Sequence, residues 1–169
     1  MSLPPLALSV RQPWAWAILH AGKDVENRSP GSVRAGGMTT GPVALHAAKG
    51  MTRDEYDHAV WRMGRDGIAV PRPEALPRGA VVGRMVVTGF VTESDSPWYG
   101  GAVGLTFAQV EAVAPIPAPG ARGYFAWRAE GTLAPPRPWM TGWDGGGGGL
   151  FDDAPAWESP PPRPWGRRR

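Results

Sequence analysis

The feature that most constrains this fold is a long stretch at 81–92, rich in β-branched residues, which suit the half-buried surface of a sheet. Gly83 and Gly89 interrupt it and predict bulges or bends. Further strands are predicted at 6–10, 43–48, 110–116 and 124–128. Glycine-rich turns join them. The pattern therefore predicts an α+β, mainly β fold, with five to seven strands in a small, strongly curved β-barrel.

Two helices accompany these strands. Thr52 and Glu55 form a capping box, and apolar residues follow at helical spacing, which predicts a helix at about 52–65. Pro13 suits the first turn of a second helix that ends at Gly22, at about 13–21.

The composition changes after Ala134, where prolines and a run of five glycines at 145–149 predict a flexible tail. The predicted organisation is a domain at 1–134 and a tail at 135–169, and deletion of the tail is expected to leave a folded domain. The four tryptophans of the tail indicate that part of it docks on folded structure. Leu150 and Phe151 are the candidate contacts for a protein partner.

Composition excludes several kinds of site. The chain has no cysteine, so it has neither disulfides nor thiolate metal ligands. His20, His46 and His58 lack metal-ligand spacing, and we expect neither a metal nor a cofactor. No signal peptide or apolar run long enough for a membrane helix is found, so we expect a cytoplasmic protein without membrane contact. A net charge of +3 is too small to indicate nucleic-acid binding by itself.

Three segments carry candidate site residues. Gln12 and Trp14 stand where a strand gives way to a helix, and they either bind a ligand there or cap the helix and pack in the core. If 24–28 is extended, Glu26 and Arg28 share one face close to Lys23, as a polar site or as an ordinary surface ion pair. His46 and the nearby Lys49 are further candidates, although a lone strand histidine is more often structural.

The segments that carry these residues resemble the ASCH family. The resemblance covers roughly 6–130 and rests on LSVRQPWA at 8–15, GKDVENR at 22–28, ALHAAK at 44–49, GAVVGR at 79–84 and PIPAPGARGYFAW at 115–127. It implies a PUA-like β-barrel, a cleft beside the first helix, and a function related to RNA.

The resemblance favours a module that binds a nucleotide or single-stranded RNA. The expected binding residues are Gln12, Trp14, Lys23, Arg28, Lys49 and Trp127. Some family members are instead amidohydrolases that remove the acyl group from acetylcytidine, and others are ribonucleases. For such a hydrolase the expected catalytic residues are Lys23, Glu26 and His46. Glu26 stands where the amidohydrolases have a threonine nucleophile, and a carboxylate cannot take that role without a different mechanism.

Overall fold

A computed structural model describes residues 2–145 of the chain. These residues form two compact units. The first, here called the sheet unit, comprises Met1–Gly50 and Pro77–Ala134. The second, the helical unit, comprises Met51–Leu76 and the described part of Pro135–Arg169. No helix among residues 2–145 is both long and apolar enough to cross a membrane.

The sheet unit contains one six-stranded mixed sheet, in the order β2-β5-β4-β3-β1-β6. Strands β1 and β3 pair in parallel, and the other neighbours are antiparallel. The strands are β1 (Leu6–Val10), β2 (Val25–Arg28), β3 (Gly41–Ala47), β4 (Ala80–Val91), β5 (Val103–Pro117) and β6 (Tyr124–Ala126). Two helices belong to this unit, namely α1 (Trp14–His20) and α2 (Pro30–Ala35). The predicted α+β class and the predicted number of strands are confirmed.

Closure of the sheet is the point on which the sequence prediction is wrong. The predicted barrel is not formed among the described residues, because β2 and β6 lie at opposite ends of the hydrogen-bonded order. The long β4–β5 pair is irregular, with register shifts next to Gly83 and Gly89. The predicted bulges are therefore confirmed. They bend the long strands without bringing the two edges into hydrogen-bond register.

Alternating residues of β1 and β3 divide the core of the sheet unit between two faces. Leu8 and Leu45 belong to the larger cluster, against which Trp14 packs. Ala7 and Ala44 belong to a smaller cluster, against which Trp127 packs. Because neighbouring strand residues point to opposite faces, a one-residue offset decides which cluster a side chain joins.

The helical unit is built around α3 (Arg53–Gly64). The Thr52 hydroxyl accepts from the Glu55 amide at 3.2 Å, and the Glu55 carboxylate accepts from the Thr52 amide at 2.6 Å. The predicted capping box is confirmed, as is the apolar stripe, whose Tyr56, Ala59 and Met63 are fully buried. A 3₁₀ turn (Pro73–Ala75) and α4 (Pro138–Thr141) complete this unit.

Part of the predicted tail packs on α3. The Tyr56 ring contacts the rings of Trp139 and Trp143 at centroid distances of 6.0 and 5.1 Å. The Trp143 indole donates to Asp57 at 2.9 Å, and Met140 is fully buried. We call Tyr56, Trp139, Met140 and Trp143 the Tyr56 cluster. Residues 146–169, with the candidate partner contacts Leu150 and Phe151, lie outside the described residues.

Candidate binding site

Three charged side chains converge, one from the turn after α1 and two from strand β2. The Lys23 ammonium lies 3.3 Å from one Glu26 carboxylate oxygen, and an Arg28 guanidinium nitrogen lies 3.4 Å from the other. The side chains are only 4% (Lys23), 13% (Glu26) and 21% (Arg28) exposed. The alternative of a solvated surface ion pair is therefore wrong, and two cations share one largely buried carboxylate.

The local chain explains this convergence. Gly22 adopts a positive φ of 69° after α1, which turns the chain towards β2 and suits glycine. Lys23 then donates to the carbonyl of Val25. Glu26 and Arg28 alternate with Val25 and Asn27 along β2, so their side chains emerge on one face, as predicted.

Arg28 links this group to the far side of the sheet. A terminal guanidinium nitrogen of Arg28 donates to the carbonyl of Ser9 in β1 at 2.6 Å. Strand β2 is the edge strand, and β1 lies next to the opposite edge. The Arg28 Nε is buried and has no hydrogen-bond partner among residues 2–145. Arg28 thus keeps donor capacity beyond its two contacts.

Two indole rings border the ammonium of Lys23. The Lys23 Nζ lies 5.9 Å from the centroid of Trp14 and 5.8 Å from that of Trp98, within cation–π range. Both tryptophans are half-buried. We call Trp14, Lys23, Glu26, Arg28 and Trp98 the Lys23 cluster.

Trp98 was missed by sequence reasoning. It lies in the loop between β4 and β5, far from Lys23 along the chain, and no motif connects the two positions. The sequence around Trp98 is rich in serine, aspartate, proline and glycine, which predicts an ordered turn. This composition does not predict which residues the turn contacts.

Gln12 is a helix cap in this structure. Its carboxamide oxygen accepts from the Trp16 amide at 3.0 Å, and its nitrogen donates to the carbonyl of Pro77 at 2.9 Å. The Ala15 amide is also occupied, since it donates to the carbonyl of Arg11 at 3.1 Å. The Ala15 amide at the start of α1 is therefore already paired and does not point freely at a ligand oxygen.

His46 meets the Lys23 cluster at Ser9, whose carbonyl accepts from Arg28 and whose hydroxyl contacts the His46 ring. Its Nε2 donates to the Ala118 carbonyl at 2.9 Å, so its Nδ1 accepts from the Ser9 hydroxyl at 2.6 Å. The ring is 1% exposed and contacts Phe125 edge-on. Burial lowers the pKa of His46, and the bond to Ala118 opposes that shift only in part. His46 is thus a neutral group whose two ring nitrogens are both paired, one with Ser9 and the other with Ala118.

The remaining predicted residues are Trp127 and Lys49. Trp127 donates through its indole to the Pro4 carbonyl at 2.8 Å and packs with Ala7 and Ala44, on the face opposite to that of Trp14. Lys49 is exposed, and within residues 2–145 its side chain forms no hydrogen bond or ion pair. Of the predicted site, the structure brings together Trp14, Lys23, Glu26 and Arg28.

The comparisons with known proteins add no identification. No family model matches the chain, and no curated protein matches it in sequence. Within the described residues, no group of three histidine, aspartate or glutamate side chains is placed to hold a metal ion. The Lys23 cluster is thus described by its own geometry.

Proposed function

We propose that this chain is a binding module of the ASCH kind, with a PUA-like fold, that holds a nucleotide or a short single strand of RNA at the Lys23 cluster. The observation that supports this best is the buried carboxylate of Glu26 between two cations, bordered by two indole rings. Buried ion pairs contribute little net stability, because desolvation offsets their attraction. A cluster of this composition is therefore better explained by a ligand than by folding alone.

The chemistry of the cluster suits a nucleotide. Within the Lys23 cluster two positive charges stand against one negative charge, which suits an anion at this point, and the neighbouring Asp24 accepts from the Ser96 hydroxyl instead. Arg28 is the most exposed of the three and retains donors for a phosphate or a base carbonyl. Aromatic faces such as those of Trp14 and Trp98 stack with bases, whichever base is present.

Binding of a short single-stranded RNA, measured by fluorescence anisotropy at several salt concentrations, tests the proposal. Lys23→Ala and Arg28→Ala should each weaken binding about tenfold and reduce the salt slope by about 1, as for a lost phosphate contact. Glu26→Gln should bind equally well or more tightly, because it removes a negative charge from the site.

The matched control is Arg128→Ala, which also removes one positive charge of the sheet unit. Arg128 is 83% exposed and pairs with Glu130 at 2.7 Å, outside the Lys23 cluster. It should cost less than twofold in affinity, as expected for a distant charge screened by salt. The proposal fails if the wild type binds neither single-stranded RNA nor nucleotides. It also fails if the Arg128 and Arg28 variants lose affinity equally.

A second candidate function is a hydrolase acting on RNA or on an acylated nucleoside. The observation that favours it is the 3.3 Å contact between Lys23 and Glu26, two groups able to exchange protons in a largely buried setting. Both ring nitrogens of His46 are paired, so Lys23 and Glu26 are the pair we assign to this role. Glu26→Gln should then abolish turnover and leave affinity intact, which separates this candidate from the binding module.

A further inference from the structure

The loop between β4 and β5 supplies one side of the Lys23 cluster. It spans 92–102 and carries Trp98, whose ring lies over the Lys23 ammonium. The Lys23 side chain is almost completely buried, and the indole rings of Trp98 and Trp14 both lie within cation–π range of its ammonium.

One side chain of β2 holds this loop in place. The Asn27 amide nitrogen donates to the carbonyl of Trp98 at 2.8 Å, and its oxygen accepts from the amide of Gly100 at 3.0 Å. A single carboxamide thus binds the main chain on both sides of Tyr99. The approach is close, because a Cβ added at Gly101 would lie 2.8 Å from the Cβ of Asn27.

A second contact supports the same loop. The Ser96 hydroxyl donates to the Asp24 carboxylate at 2.5 Å and accepts from the Trp98 amide at 3.2 Å. Asp24 and Asn27 flank Glu26 in sequence, but both contact the loop rather than Lys23 or Arg28. The segment 23–28 therefore has two sets of side chains, one forming the charged group and the other fixing the position of Trp98.

We propose that Trp98 stacks on a base of the bound strand and that Asn27 is its positioning residue. The inference rests on the proposed function and adds to it how the base is contacted. Asn27 is exposed, and its bonds to the loop lie at the surface, so they contribute little to folding. Their expected effect is on the placement of the ring, because a stacked contact requires a fixed ring plane.

The test compares two probes, an octauridylate and the same sugar-phosphate strand without bases. Trp98→Ala should weaken binding of the octauridylate about tenfold, as expected for one lost stacking contact, and should leave the abasic strand unaffected. Asn27→Ala should show the same selectivity with a smaller loss, about threefold. Neither variant should change the salt slope, because neither removes a phosphate contact.

Further variants keep the result interpretable. Trp98→Phe retains a stacking ring and should recover most of the lost affinity. Asn27→Asp keeps only the acceptor for Gly100, so its affinity for the octauridylate should lie between those of the wild type and Asn27→Ala. Trp61→Ala, in α3, should leave both affinities unchanged. The inference is overturned if the wild type binds the octauridylate and Trp98→Ala binds it equally well. It is also overturned if Asn27→Ala weakens both probes alike. If the wild type binds nucleotides but no RNA, the inference about a bound strand is also overturned, and if it binds neither, the proposed function itself fails.

Discussion

The Lys23 cluster and the Tyr56 cluster both combine indole rings with charged neighbours, but they arrange them in opposite ways. In the Lys23 cluster the charges are inside, with the ammonium 4% exposed beside two rings. In the Tyr56 cluster the rings and Met140 form an apolar contact, and the charges stay outside, with Arg53 41% and Arg72 52% exposed.

This difference shows what each cluster contributes. Burial of apolar rings stabilises a fold directly, at roughly 25 cal/mol per Å² removed from water. Burial of charge does not, and it requires compensation from paired groups. The Tyr56 cluster therefore accounts for stability, whereas the role we propose for the Lys23 cluster is to bind a ligand. Four predictions, ordered by the size of the expected effect, test this contrast.

The largest effect is expected from removing the segment that packs on α3. Truncation after Ala134 deletes Trp139, Met140 and Trp143 and exposes Tyr56, so we expect a loss on the order of 5 kcal/mol for the helical unit. Thermal unfolding followed by circular dichroism measures it, and truncation after Gly145 is the control. Equal melting temperatures for the two truncated chains would show that these tryptophans do not contribute to the core.

A single substitution inside the Tyr56 cluster should cost less. Tyr56→Ala should lower the free energy of unfolding by about 3–4 kcal/mol, because it removes a fully buried ring. Tyr56→Phe keeps the ring and loses only the bond from the hydroxyl to the Pro71 carbonyl, at a cost of about 1 kcal/mol. Denaturant titration gives both values. RNA affinity should not change in either variant, and a parallel loss of affinity would contradict the division of roles.

The corresponding change in the Lys23 cluster should affect stability little. Lys23→Met keeps an unbranched apolar stem and leaves Glu26 paired with Arg28, so the free energy of unfolding should change by no more than about 1 kcal/mol. The same variant should lose RNA affinity about tenfold. A loss of stability as large as that of Tyr56→Ala, in the same denaturant titration, would make the Lys23 cluster a folding element.

The smallest effect concerns His46, a buried group paired with uncharged partners. Its pKa is lowered on folding, so the unfolded chain takes up a proton first as the pH falls through about 6.5. Stability should therefore decrease between about pH 7.5 and pH 5.5. His46→Gln should reduce this decrease, and the remainder should come from His58, whose pKa is lowered by burial and by Arg62. An unchanged pH dependence in the variant would show that His46 does not titrate differently on folding.

The local parts of the fold followed closely from the sequence. The capping box at Thr52 and Glu55 marked the start of α3, and glycines inside 81–92 marked the bulges of β4. Helix α2 was missed although Ser29 caps it and Pro30 opens it. It is short, and Val33 alone gives no apolar stripe from which a helix could be predicted.

The site was only partly predictable. Lys23, Glu26 and Arg28 lie within one turn and one strand, so their spacing alone placed them together. His46 and Trp127 were also candidate site residues, and the structure places both beside the smaller core cluster. Trp98 reaches Lys23 only because Asn27 and Asp24 hold its loop.

By itself, then, the sequence determined what depends on neighbours within about one helical turn or one strand: helix caps, strand alternation and the charged run at 22–28. The tertiary structure alone decided which face of the sheet His46 and Trp127 join, which loop covers Lys23, and that Trp139 and Trp143 pack on α3. The physical reason is that local hydrogen bonds and periodicity are set by adjacent residues. Contacts across the sheet depend instead on register and loop path, where a shift of one residue moves a side chain to the opposite face.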